Sequence, residues 1–505
     1  MVNPNSKKQE KVFNTQQSLN SEIKAICDIM RRSNCAGAMQ YVPELTWLLF
    51  LRILDIREKT EQETAEVLGN DFTPSIKSPY CWSDWGSKNG KTRQKLSQGT
   101  LNAYFDFINQ KLIPYLKNLR KIPEATPRQK VISEIMSGVE RVRIDTEKNM
   151  LDIFDKIDGI TLDNVDDTHI FTLSQIYEGL LLKMGEKGND GGQFFTPREI
   201  IRAMIQTVKP KLGETIYDPC CGTGGFLVQA YNFLFPIAEK KGADFLENLK
   251  HRTFFGREKE NLIYPITLAN MVLHGIEQPS IWHGNTLTGN EIFGGLFENT
   301  SGKYDVILTN PPFGGKEGKE AQTNFAYKTG ATQILFLQHV IDKLKDKGRC
   351  GIVLDEGVLF RTNEIAFVQT KRKLLDDCNV YCIVSLPAGV FSAAGAGVKA
   401  NILFFQKGRP TEKIWYYDLS DIKVGKRTPF TLDKFNDFFK LLPDCKKSNR
   451  SWTVTRQTIE KNNFDIKAVN PNRKVVEDTR TPEELIALIV EKQREINLAL
   501  KELKK

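Results

Sequence analysis

Two regimes of hydrophobic patterning divide the chain. In the first, from about Leu19 to Asp163, apolar residues recur at helical spacing, as in Ile23, Ile26, Cys27 and Met30. Leu45 to Ile56 is an apolar-rich segment ending in charge, and Leu101 to Leu119 resumes the same period. This half is expected to be mainly helical. From Thr172 a helix gives way to short apolar runs alternating with helical stretches, the signature of a doubly wound sheet. Candidate strands are residues 214–218, 253–258, 280–283, 305–309, 349–354, 380–386 and 401–406. The last two flank a Gly/Ala loop and are expected to form a hairpin with one strand antiparallel at the sheet edge.

After Gly408 the chain becomes more charged. Trp415 to Asp418 reads as a short strand, Leu432 to Leu442 as a helix, and Ser451-Trp452 as a loop. Thr481-Pro482-Glu483-Glu484 then carries a Thr cap, an early Pro and early acids. Leu485, Leu488, Ile489, Lys492, Ile496 and Leu500 follow as a stripe close to a 3.5-residue period. A terminal amphipathic helix is expected, docked to a partner helix in preference to its own domain.

A chain of 505 residues with 40% hydrophobic content is long enough for two or three domains with ordinary cores. The expected layout is a flexible arm (1–18), a helical N-terminal domain (19–165), an α/β domain (166–410), a C-terminal extension (411–480) and a docking helix (481–505). The polar start lacks the apolar core of a secretory signal, and no apolar run reaches the roughly 18 residues of a membrane span. Nine scattered cysteines and five histidines without a CxxC pair fit a reducing cytoplasm and no metal site. The formal charge of +9 permits contact with nucleic acid without predicting it.

The chemistry concentrates in short segments. In Tyr304-Asp305-Val306-Ile307-Leu308-Thr309-Asn310-Pro311-Pro312-Phe313 a buried strand stops at an amide, two prolines and an aromatic ring. Prolines cannot continue a central strand, so the chain leaves at the carboxyl edge, where open α/β sheets bind ligands. The Asn310 amide and Pro311 carbonyl can accept hydrogen bonds from an exocyclic amino group while Phe313 stacks on its ring. Upstream, Asp218-Pro219-Cys220-Cys221-Gly222-Thr223-Gly224-Gly225-Phe226 places a Gly-rich turn between strand and helix. An Asp before the turn would repel a pyrophosphate and suits a cationic ligand. Glu258, in Phe255-Gly256-Arg257-Glu258, can bind a ribose diol, and Asn285-Thr286 ends a third strand with an amide able to read an adenine edge. Gln193-Phe194-Phe195-Thr196 supplies two phenylalanines that wall either a core or a cofactor, and a Thr before a helix start. Ser78 to Gly99, rich in turn formers and Lys around Trp82 and Trp85, reads equally as a DNA-touching loop or as a connector with packed tryptophans.

The set GGQFFTPRE, DPCCGTGGF, FGRE, HGNTL, YDVILTNPPFG, GRCGIVL and LPAGVF with NILFF resembles the modification subunits of type I restriction–modification systems. These are S-adenosylmethionine-dependent adenine-N6 DNA methyltransferases of the gamma motif order. The resemblance is specific from Thr172 to Gly408 and extends more weakly into the helical region through TWLLFLRILDIR. It implies a Rossmann-like domain with a mixed seven-stranded sheet, S-adenosylmethionine as cofactor, and catalytic roles for Asn310, Pro311, Pro312 and Phe313. Thr196, Asp218, Gly222, Gly224, Glu258 and Asn285 correspond to cofactor-binding positions; Gln193, Phe194, Phe195, Thr223, Gly225, Thr286 and Asn310 complete the candidate set. Three departures stand out: Cys220 for the usual alanine, Asn285 where many members have aspartate, and Leu354-Asp355-Glu356-Gly357 for the more usual Leu-Pro-Asp-Gly.

The implied partners are double-stranded DNA, a specificity subunit that reads sequence and is contacted by the C-terminal region, a second copy of this chain, and a restriction (nuclease/translocase) subunit. Asn-Pro-Pro-aromatic sites also methylate RNA bases or protein glutamine. Phe313, the helical N-terminal region and the terminal helix favour DNA. A non-catalytic DNA-positioning scaffold is the alternative of a different class.

Overall fold

The structure is a computed structural model and describes residues 16–35, 38–100, 102–159, 196–289, 291–293, 302–391, 399–425, 428–467, 469–473 and 481–502. Its N-terminal region is helical. Helix Gln16–Arg32 buries Ile23, Ile26, Cys27 and Met30 on one face, and helix Ala38–Leu68 buries Leu45, Leu48 and Phe50. Helices Pro127–Met136 and Glu147–Asp158 complete the packing, both capped by a Thr hydroxyl that accepts an N-terminal backbone N–H. Trp82 and Trp85 are buried and lie edge-on to each other and to Phe154, with centroids 4.9–5.7 Å apart. Their indole N–H groups donate to Asp158 and to the Tyr80 carbonyl. Of the two readings of Ser78 to Gly99, packing is therefore the role of the tryptophans.

A single sheet of ten strands forms the second layer: β1 (Ile216–Asp218), β2 (Phe254–Glu258), β3 (Ser280–Gly284), β4 (Glu291–Phe293), β5 (Tyr304–Thr309), β6 (Leu344–Asp355), β7 (Cys378–Ser385), β8 (Ala400–Lys407), β9 (Lys413–Asp418) and β10 (Ser451–Thr455). Their spatial order is β10-β9-β7-β8-β6-β5-β1-β2-β3-β4. β1 pairs in parallel with β2 on one side and β5 on the other, so the chain order reverses at β1 and opens a crevice at the carboxyl ends.

The mixed α/β class is as expected, and the sheet differs from the seven-stranded expectation in three places. The antiparallel strand β8 lies inside the sheet, hydrogen-bonded to β6 and β7, and not at its edge. Its unbroken buried run Ala400–Phe405 is what a strand covered on both faces requires. Ser451-Trp452 is a strand and not a loop, because Trp452 stacks on its cross-strand partner Tyr416 with centroids 5.2 Å apart. β4 adds a short antiparallel edge that the sequence did not signal. Thus β9 and β10, from the expected C-terminal extension, continue the same sheet.

Helix Pro482–Glu502 begins with a reciprocal cap: the Glu484 N–H donates to Thr481 Oγ1 and the Thr481 N–H to the Glu484 carboxylate. Ile486, Ile489, Val490 and Ile496 on it are 51–66% exposed. The helical region is joined to the sheet domain by apolar packing and by a charged hub. Arg57 and Arg128 from the N-terminal helices converge on Glu277 with Lys250 and His251. Arg57 also donates to the Val272 carbonyl at 3.0 Å. Burial alone would raise the Glu277 carboxyl, but the surrounding cations outweigh it and hold it below its usual range.

Glu277→Ala leaves these cations opposed across the seam. A loss of about 1–2 kcal/mol in stability is expected, read as a lower Tm and faster proteolysis between the helical region and the sheet domain. An unchanged Tm at low and high salt would show that apolar packing alone holds the seam.

Candidate functional site

The ends of β1, β2, β3 and β5 converge on one cavity of about 290 Å³. β1 delivers Asp218, 1% exposed, whose carboxylate accepts from Thr309 Oγ1 at 2.7 Å and from the Cys220 N–H at 3.2 Å. The turn that follows needs glycine at Gly222 and Gly224, which have φ of 51° and 80°. Helix Gly225–Lys241 then points its N-terminus at the cavity; a side chain on Gly225 would collide with the Arg198 guanidinium. β2 delivers Glu258, whose carboxylate accepts the Glu260 N–H at 2.8 Å.

Burial pushes both carboxyls, Asp218 and Glu258, up to about 7, against the hydrogen bonds that pull them down. Among the described residues no cation forms an ion pair with either. The cavity thus holds two desolvated acids at a helix N-terminus, an arrangement completed by a ligand with a cationic group and hydroxyl donors.

After β3, Asn285 turns the chain. Its Oδ1 accepts the Leu287 N–H at 2.9 Å, which fixes the amide and leaves Nδ2 and one Oδ1 lone pair for a ligand. Nδ2 can donate to a ring nitrogen of a base, a contact that an aspartate at this position could not make. Thr286 lines the same wall and donates to the Pro219 carbonyl.

After β5, Asn310 projects toward Thr196. Its Nδ2 donates to Thr196 Oγ1 at 2.9 Å, while Oδ1 is buried without a hydrogen-bond partner. The Pro311 carbonyl accepts from Gln333 Nε2 at 3.3 Å. Phe313 meets the edge of Phe391, centroids 5.2 Å apart and planes at 77°.

Thr196, Asp218, Gly222, Thr223, Gly225, Glu258, Asn285, Thr286, Asn310, Pro312 and Phe313 all line the cavity. Gly224 and Pro311 do not; a side chain on Gly224 would press on Thr267 and Met271. Gln193, Phe194 and Phe195 lie outside the described residues. Sequence reasoning did not single out Thr309, Gln333 or Phe391. Thr309 and Phe391 sit inside segments it quoted, whereas Gln333 is reachable only through the packing of its helix.

Basic residues occur in short groups at 343–349, 371–373 and 423–427, and several of them are engaged internally. Lys345 pairs with Asp305, Arg349 with Glu214 and Lys373 with Asp377. Lys371 is buried and donates to the Leu359 and Arg361 carbonyls. Lys426 and Arg427 lie outside the described residues.

Comparison with known proteins agrees with this geometry. Residues 168–480 match the family model of the N-6 DNA methylases, and residues 19–139 match that of the HsdM N-terminal domain. The chain is 35% identical over 495 residues to the type I restriction enzyme EcoEI methylase subunit of Escherichia coli, covering 95% of each. Against the EcoKI methylase subunit of Escherichia coli K12 it is 30% identical, covering 82% of this chain and 74% of that one. A solved structure from work on the assembly and conformational transition of the type I R-M system superposes with a TM-score of 0.73 at 37% identity, covering 97% of this chain and 98% of that one. A crystal structure from Vibrio vulnificus YJ016, ascribed to the modification subunit of a type I restriction enzyme, gives 0.79 at 31% identity, covering 92% and 98%. With both family models laid end to end along it, an N-6 methylase sheet behind a helical N-terminal domain, this chain belongs to the modification (methylase) subunits of type I restriction–modification systems.

Proposed function

We propose that the chain transfers a methyl group from S-adenosylmethionine to N6 of adenine in double-stranded DNA, at sequences chosen by a separate specificity subunit. The observation that carries this reading is the partnerless, buried Asn310 Oδ1 beside a cavity lined by two desolvated acids. S-adenosylmethionine fits that donor set. Asp218 would hold its ammonium group, Glu258 its ribose hydroxyls and Asn285 Nδ2 a ring nitrogen of its adenine. Bound there, the cofactor supplies an electrophilic methyl group.

The protein's own residues act on the acceptor. Adenine N6 is a poor nucleophile because its lone pair is delocalised into the ring. Asn310 Oδ1 and the Pro311 carbonyl each accept one N6 hydrogen, drawing the nitrogen toward tetrahedral geometry. Both acceptors favour the positive charge that develops on N6, so they bind the transition state better than the ground state. Phe313, steadied by Phe391, stacks on a base turned out of the duplex. No metal or covalent nucleophile takes part in these steps.

Lys345, Arg349 and Lys373 are held in ion pairs and Lys371 is buried, so these cations are committed within the fold, which supports dependence on a sequence-reading subunit. Helix Pro482–Glu502, with Ile486, Ile489 and Val490 exposed, is the segment we assign to that contact. A second copy of this chain and a restriction subunit complete the assembly, in the cytoplasm. No helix among the described residues is long and apolar enough to cross a membrane.

Label from methyl-labelled S-adenosylmethionine is expected in N6-methyladenine of unmodified DNA only when the specificity subunit is present. Label in RNA or protein would move the substrate; no label despite cofactor binding would make the chain a scaffold. Asn310→Ala is expected to lower transfer by about 10³-fold with cofactor affinity retained, measured by single turnover and calorimetry. Retained transfer would sink its assignment.

Asp218 and Glu258 titrate near 7 because burial disfavours their ionised forms. A cationic ligand selects the ionised Asp218. Affinity for S-adenosylmethionine is therefore full above that value and falls as pH drops through it, by about tenfold between about pH 8 and pH 6. A flat calorimetric profile over that window would separate Asp218 from the cationic group.

A further inference from the structure

We propose that Gln333 is a positioning residue for the methyl acceptor, fixing the direction of the Pro311 carbonyl. This rests on the reading of Asn310 and Pro311 as the pair that accepts the N6 hydrogens. Gln333 lies near the start of helix Thr332–Lys343 and is 3% exposed. Its Oε1 accepts the Asp355 backbone N–H at 3.0 Å, and its Nε2 donates to the Pro311 carbonyl at 3.3 Å.

The orientation of this amide is dictated by chemistry. A backbone N–H only donates, so the atom facing Asp355 is the oxygen. The NH2 then necessarily faces Pro311. The Thr196 hydroxyl, which can donate or accept, imposes no such order on Asn310.

The Pro311 carbonyl needs outside support. The rings of Pro311 and Pro312 set their own φ, and Pro312 has no N–H to anchor the shared peptide. The torsion left to swing that carbonyl is ψ of Pro311. Gln333 engages one of its two lone pairs and leaves the other for the incoming amino group.

The donor that orients Gln333 comes from a departure already noted in the sequence. Where the more usual pattern reads Leu-Pro-Asp-Gly, this chain has Leu354-Asp355-Glu356-Gly357, and a proline at 355 would have no N–H to give. Asp355 has φ −67° and ψ 156°, a backbone that proline also adopts, and its side chain separately accepts the Val358 N–H at 3.0 Å. Asp355→Ala therefore deletes the carboxylate alone and Asp355→Pro deletes both groups, so the difference between them reads the N–H.

The test uses the complex with its specificity subunit, saturating S-adenosylmethionine and single-turnover transfer, each variant expressed as a ratio to wild type at the same pH. In Gln333→Glu the protonated acid still accepts from Asp355 and donates to Pro311, whereas the carboxylate sets an oxygen against the carbonyl. Its ratio is expected near one at low pH, falling roughly tenfold as the buried acid ionises. Asp355→Pro is expected to lose roughly threefold at every pH, and Asp355→Ala, which keeps the N–H, to lose nothing. Cofactor affinity stays at the wild-type value in all three. A Gln333→Glu ratio that does not change with pH, whether high or low, overturns the positioning role. So does equal loss in Asp355→Pro and Asp355→Ala. A wild-type complex that leaves adenine unmodified overturns the acceptor pair itself, and this inference with it.

Discussion

The parallel pairing of β1 with β5, Ile216 opposite Val306 and Tyr217 opposite Ile307, is the contact on which the site depends. It sets Asp218 and Asn310, 92 positions apart (310 minus 218), at the same sheet edge. The seam is locked at both ends. At the amino end the Asp305 carboxylate accepts the Thr215 N–H and hydroxyl and pairs with Lys345. At the carboxyl end Thr309 donates across to Asp218. Between them Tyr217 stacks on Tyr304 with centroids 4.2 Å apart. A slip of one residue would turn every side chain to the opposite face and separate the acid from the amide.

This seam also explains the electrostatics. Asp218 and Glu258 end adjacent buried strands, so the pairing that aligns them removes them from water. Carboxyls held there without a cation resist ionisation, and a ligand carrying positive charge relieves that cost. The acceptor side uses no charge. The proposed acceptors, Asn310 and Pro311, present neutral oxygens: Gln333 sets the direction of the Pro311 carbonyl, and Thr196 holds the Asn310 amide without choosing between its two ends. In the proposed function, charge recognition and nucleophile activation are thus divided between different strand ends of one sheet edge.

Outside the crevice, a charged hub joins the helical region to the sheet domain. The Glu277 hub ties the helical region to the sheet domain beside the helix Ile263–Leu273, whose Thr267 and Asn270 donate to the Gly222 and Thr223 carbonyls in the Gly-rich turn. A connected path of packing therefore runs from the N-terminal helices to the Gly-rich turn. Helix Pro482–Glu502, by contrast, keeps Ile486, Ile489, Val490 and Ile496 exposed.

Much of this was legible in the sequence because strand ends and turn chemistry are local. Asp218, Glu258, Asn285 and Asn310 each follow or end an apolar run, and Asn-Pro-Pro-Phe stops its strand by covalent geometry alone. Tertiary structure decided what depends on neighbours distant in the chain. Trp452 makes a strand of an apparent loop only because Tyr416 lies beneath it. β8 is interior only because β6 and β7 close on both sides. Gln333 aligns Pro311 only because Asp355 offers an N–H from another strand. Local rules determined which residues can bind and react; long-range pairing decided which way their atoms point.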